Sequence, residues 1–99
     1  MAVDAIFTPE AAQDLAEAYD WYERRRPGLG EEFFGCVEVC LQSIRRNPEI
    51  HAIFHENYRR ALIRRFPYVL MFELEDNVAA IYAVFHTSRD PEKWRERLP

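Results

Sequence analysis

Lysine is almost absent from this 99-residue chain: twelve of its thirteen basic residues are arginine, and Lys93 is the exception. Glycine is scarce too. The three glycines lie in a turn or in helical pattern, which excludes a glycine-rich phosphate loop. No apolar run is long enough to cross a bilayer as a helix. The start, Met1 to Phe7, lacks a basic segment followed by an apolar one, so no signal peptide is indicated and a cytoplasmic location is expected. Neither internal repeats nor low-complexity segments occur.

Cysteine is limited to Cys36 and Cys40, which with His51 and His55 spell C-x3-C-x10-H-x3-H. That spacing approaches a zinc pattern, but both cysteines fall within an amphipathic helix rather than on a hairpin that could present two thiolates. They read as small apolar residues, and no metal, cofactor or disulfide is expected.

What the chain does have is apolar: 48% of its residues, 14% aromatic, enough for one domain over residues 1–99 with one modest core. The net charge of −4 is unevenly spread. Residues 1–44 hold nine acids against three bases, whereas residues 45–72 hold six arginines against Glu49 and Glu56. One side of the molecule thus suits an anionic partner.

Ala2 to Phe7 alternates as a short strand. Thr8-Pro9-Glu10 combines a hydroxyl cap, a first-turn proline and an acid at the positive dipole end, opening a helix that Pro27-Gly28-Leu29-Gly30 closes. A second helix runs from about Glu31 to Arg46, its stripe being Phe33, Val37, Cys40, Leu41 and Ile44, and Asn47-Pro48 ends it. Three β-rich stretches follow, Tyr58 to Phe66, Tyr68 to Glu75 and Val78 to His86, and Asp90-Pro91-Glu92 opens a last short helix through Arg97. The predicted class is α+β: two layers in the order βααβββ, an αα-hairpin on a mostly antiparallel sheet, plus a short C-terminal helix.

Arg59-Arg60 and Arg64-Arg65 bracket Ala61-Leu62-Ile63. On a continuous strand, Arg60 and Arg64, about 13 Å apart at ~3.3 Å per residue, share one face, and Arg59 and Arg65 share the other. Such a spacing addresses successive phosphates or carboxylates; edge charges that block aggregation have the same appearance. His86, near Arg89, is a candidate proton-transfer group, with an ordinary strand-end histidine as the simpler account. Trp21, Tyr22 and Trp94 are either stacking platforms or core residues.

Phe7-Thr8-Pro9-Glu10-Ala11, Trp21-Tyr22-Glu23, Pro27-Gly28-Leu29-Gly30 with Phe33, Asn47-Pro48, Tyr58-Arg59-Arg60, Arg65-Phe66-Pro67-Tyr68, and His86 with Arg89-Asp90-Pro91 and Trp94 together resemble the RelE/ParE superfamily over nearly the whole chain. The resemblance implies a growth-inhibiting toxin of a bacterial type II toxin–antitoxin module, of the ParE-like plasmid-stabilisation kind. It further implies an antitoxin, encoded by an adjacent gene, that wraps an extended acidic and apolar segment around the toxin. Arg59, Arg60, Arg64, Arg65 and Arg89 are the expected partner-binding residues. Within the superfamily, RelE-like members cleave mRNA on the ribosome, a role in which His86, Arg60, Arg64 and Arg65 would be catalytic. ParE-like members inhibit DNA gyrase, and an inactivated toxin fold that serves only as a binding module is the third reading. A pI near 5.4 and a tail, Arg95 to Pro99, without a terminal aromatic or histidine favour gyrase over ribosomal RNA, whose phosphates demand a basic protein.

Overall fold

A computed structural model describes residues 2–98. Strand β1 (Asp4–Phe7) leads into α1 (Pro9–Arg25), where the Thr8 hydroxyl accepts a hydrogen bond from Ala11 N–H at 3.1 Å, the predicted cap. Helix α2 spans Leu29–Arg46, starting two residues earlier than the sequence pattern suggests. The reason lies in the joint. Gly28 takes φ +92°, and the Glu23 carboxylate accepts from the Gly28 and Gly30 amides at 3.0–3.1 Å, doing for α2 what a cap side chain would do. Gly30 sits so close to α1 that a Cβ there would lie 2.9 Å from both Glu23 Oε1 and the Tyr19 carbonyl. Gly30→Ala is therefore expected to lower stability by about 1–3 kcal/mol, read as a shift in the urea midpoint, because the backbone carbonyl cannot move aside cheaply.

After a 3₁₀ turn at Pro48–Ile50 come β2 (Ile53–His55), β3 (Tyr58–Leu62), β4 (Tyr68–Glu75) and β5 (Val78–His86), then a second 3₁₀ turn at Lys93–Arg97. The sheet order is β1-β5-β4-β3-β2, with β1 parallel to β5 and every other pair antiparallel. The α+β class and the helices-on-sheet arrangement follow the sequence reading. Three details do not.

Strand β2 is an addition, turned onto β3 through Glu56 at φ +48°. Strand β3 stops at Leu62 rather than Phe66, because Arg65 adopts φ +70° and Ile63 N–H already bonds the Tyr68 carbonyl across the bend. The C-terminal helix is a 3₁₀ turn that begins at Lys93, not at Asp90-Pro91.

Between helices and sheet lies the main core, in which Phe33, Val37 and Ile44 of α2 meet Leu70, Phe72, Ile81 and Val84. The opposite face of the sheet is also covered. Val69, Met71, Ala83 and Phe85 pack there with Tyr58 and Trp94, the latter delivered by the C-terminal 3₁₀ turn. Strands β4 and β5 are thus buried on both faces, which explains their nearly continuous apolar character. Among the described residues no helix is long and apolar enough to cross a membrane.

Candidate partner-binding surface

The arginine set does not form the two-faced ladder that a long β3 would create. Arg59 and Arg60 lie on β3, whereas Arg64 and Arg65 lie in the turn after it, so strand alternation sets no spacing between the pairs. Arg59 turns inward along the chain's own backbone, its Nη1 donating to the His51 carbonyl at 2.8 Å and the Glu49 carbonyl at 3.3 Å. It holds the 3₁₀ connection against the sheet and has little left for a partner. Arg60 is exposed and its guanidinium lies 6.0 Å from the Phe54 ring. Arg65 pairs with Glu32 of α2 at 3.0 Å, and Glu32 also receives Arg26 at 3.1 Å. These two guanidiniums hold the half-buried Glu32 carboxyl below its ordinary pKa. Arg64 has no carboxylate partner among the described residues.

Arg89 belongs to a separate place. Its guanidinium lies 4.2 Å from the centre of the Trp21 ring and donates to the Tyr68 hydroxyl at 2.7 Å, while Arg25 approaches the same indole at 3.9 Å. Trp21 is therefore a cation-binding rim residue. Tyr22 and Trp94 are buried, Tyr22 among Phe33, Phe66 and Tyr68 and Trp94 under the sheet, so neither offers a free face for stacking.

His86 ends β5 and serves the loop that follows. Its Nδ1 accepts from the Arg89 amide at 2.9 Å and the Ser88 amide at 3.1 Å, with the Ser88 hydroxyl 3.3 Å away. Two main-chain donors on one ring nitrogen fix the neutral tautomer, with its proton on Nε2. Burial, then the neighbouring Arg89 charge, pushes the imidazole below its ordinary pKa, the Asp90 carboxylate opposing them in part. A ring in this state has no free lone pair with which to take a proton.

The four residues of the Cys/His spacing go to different surroundings. Cys36 borders the β3–β4 turn; Cys40 is buried, its thiol pushed up to about 11 by burial, with Sγ 3.7 Å from the Leu62 carbonyl. His51 bonds the Ser43 hydroxyl, and His55 packs on Trp94.

Two features escape a reading of motifs. The first is Asp14, 4% exposed on α1. It accepts from Arg97 at 2.6 and 3.0 Å, from Lys93 at 3.0 Å and from the Val84 amide of β5 at 3.1 Å, beyond the point where β1 stops covering that strand. Burial alone would raise its pKa; the Arg97, Val84 and Lys93 hydrogen bonds outweigh it and hold the carboxyl below 3.8. The only signal in the sequence is position, since Asp14 interrupts the apolar stripe between Ala11 and Ala18. The second is an apolar groove of about 420 Å³ between α1 and α2, lined by Phe7, Leu15, Ala16, Tyr19 and Phe34, with Asp20 and Glu31 at its rim. Tyr19 donates its hydroxyl to Glu31, which raises the phenol's pKa to about 12.

Residues 5–91 match the family model described as the ParE toxin of the type II toxin–antitoxin system parDE. Comparison with curated proteins gives no match. Among solved structures, a chain of the chromosomal ParDE toxin–antitoxin system from P. aeruginosa superposes with a TM-score of 0.75 at 17% identity, over 86% of this chain and 96% of that one. A chain of the toxin–antitoxin complex RelBE2 from Mycobacterium tuberculosis superposes with a TM-score of 0.62 at 21% identity, over 87% and 99%. At these identities the two structures attest the fold.

Proposed function

The chain belongs to the ParE family of toxins of type II toxin–antitoxin systems, and from that premise we propose that it acts in the cytoplasm by binding and inhibiting DNA gyrase until an antitoxin encoded beside it neutralises it. The observation that carries the choice of target is the state of His86. RNA cleavage without a metal needs a group that takes a proton from the 2′-hydroxyl and another that returns one to the leaving oxygen. The His86 lone pair is already committed to two backbone amides, and a neutral ring held this way lacks the imidazolium proton that a general acid would hand to the leaving oxygen. The arginines add to this reading. A phosphate-stabilising set would converge on the histidine, whereas Arg59, Arg60 and the Arg64-Arg65 turn occupy separate places and only Arg89 adjoins His86. An acidic chain suits a protein target better than the ribosome's RNA. The two similar complexes pair each toxin with an antitoxin, which supports the same kind of partner here. Arg60 and Arg64 are the predicted arginines still open to such a partner; Arg59 bonds the chain's own carbonyls, Arg65 pairs with Glu32, and Arg89 is held by Trp21 and Tyr68.

Expression of the chain alone should arrest bacterial growth, and the product of the adjacent small reading frame should relieve it. Purified chain should block gyrase supercoiling and leave ribosome-bound mRNA whole. His86→Asn keeps an acceptor for the two amides and should retain full toxicity, whereas loss of a proton-transfer residue would cost at least ~100-fold. Cleaved mRNA with intact supercoiling, abolished by His86→Asn, would transfer the histidine to a catalytic role.

A further inference from the structure

Helix α2 is acidic in its first turn and basic in its last, yet nearly neutral along the face it turns to solvent. Its buried stripe, Phe33, Val37, Cys40, Leu41 and Ile44, fixes where that outward face lies. Glu31, Gly35, Gln42 and Arg46 run along it, all exposed, with Phe34 and Val39 on either side at 37% and 55% exposure. Outward helix faces ordinarily carry charged side chains. Here no fully exposed residue between Glu31 and Arg46 is charged, and Glu38 is half-buried.

Gly35 marks the point of closest access. It lies in the helix interior, where glycine weakens the helix, and a Cβ there would meet nothing within 4 Å. No contact within this chain asks for it. A second helix laid across it does, because the distance between packed helices is set by the side chains at the contact.

The two ends say which helix fits. Glu31 and Arg46 stand about four turns apart, roughly 22 Å at ~1.5 Å per residue. Glu31 gives one carboxylate oxygen to the Tyr19 hydroxyl and has no basic partner among the described residues, and Arg46 has no carboxylate partner there. A second α2 laid antiparallel sets Arg46 of each copy on Glu31 of the other. It also sets Gln42 of each copy over Gly35 of the other. Both pairings share one midpoint, between Glu38 and Val39, as a two-fold axis demands. Val39 then meets its own counterpart across the axis, and the Gln42 amide can donate to Glu38. A stripe that complements itself when reversed suits a second copy of this chain.

We infer that two copies of the chain associate through α2, antiparallel about a two-fold axis between Glu38 and Val39, with Gly35 at the closest approach and a Glu31–Arg46 pair at each end. One pair of helices falls short of the ~800 Å² per partner of a tight complex, so the dimer forms reversibly, at micromolar concentration. Neither the antitoxin nor the cellular target enters into it.

Sedimentation equilibrium of the full chain should show the mass rising from 11.8 kDa toward twice that value with concentration. Arg46→Glu and Glu31→Arg should each weaken association at least about tenfold, since each sets like charges together at both ends. Combining the two should restore it, which a folding defect could not do. Gly35→Glu should abolish the dimer while the monomer's melting temperature holds or rises. A chain that stays at 11.8 kDa up to about 1 mM would overturn the inference, as would a dimer that Arg46→Glu leaves at wild-type strength. If the chain is monomeric and these variants weaken only the binding of an adjacent-frame product, the face belongs to that partner. Self-association is then overturned, and the toxin–antitoxin reading stands.

Discussion

Asp14→Ala should lower the unfolding free energy by about 3 kcal/mol, the low end for breaking a buried ion pair because Lys93 and Arg97 keep some contact with water. The size follows from what is stranded: two cations lose their carboxylate, and the Val84 amide loses its acceptor at a point where no strand can replace it. The C-terminal 3₁₀ turn should loosen first, seen as earlier proteolysis after residue 86 and a shift in Trp94 fluorescence. Asp14→Asn keeps an acceptor for Val84 and should cost less. Replacing the triad together, Asp14→Leu with Lys93→Met and Arg97→Met, should recover much of the loss, since the cost comes from uncompensated charge. The pH dependence has a definite sign. A carboxyl held below 3.8 in the folded chain contributes stability that is fully present above that value and drains away as the pH falls through the folded pKa. Urea midpoints of wild type and Asp14→Asn should therefore converge below pH 3.8.

Phe33→Ala is expected to be at least as damaging, about 3–5 kcal/mol in the same urea titration. Phe33 is fully buried, and its ring centre lies 5.1 to 5.2 Å from those of Tyr22, Phe66 and Tyr68. Deleting it leaves a cavity walled by three rigid rings that cannot collapse into the space. Against the 5–15 kcal/mol typical of a whole domain, the variant would stand close to unfolding. Phe33→Leu should restore much of the difference, which separates lost volume from lost ring stacking. Because Tyr68 carries the hydrogen bond to Arg89, the Ala variant should also disturb the Trp21–Arg89 contact, visible as a change in Trp21 emission.

Both helices were readable because their apolar residues recur at helical spacing and Thr8, Pro9 and Asn47 mark their ends. Strands β4 and β5 were readable through length and the Asp76-Asn77 turn, where Asp76 takes φ +55°. Strand β2 was not: three residues give too few positions for alternation, and its turn uses Glu56 at positive φ, where glycine or asparagine would have signalled it. Arg65 hides the end of β3 in the same way. The arginines drew attention by composition, yet composition cannot tell that Arg59 bonds the chain's own carbonyls while Arg64 has no carboxylate partner among the described residues. Asp14 was invisible because its partners are 70 to 83 residues away.

That separation bears on when the protein can exist at all. Among the described residues strand β1 pairs with no strand but β5, and Asp14 finds its partners at Val84, Lys93 and Arg97. A segment that lacks β5 and the last 3₁₀ turn can form the helical hairpin but can neither close the sheet nor seat Trp94. Closure of the fold therefore waits for residues 78–97. A partner already present in the cell meets this chain at the moment it first becomes a finished surface.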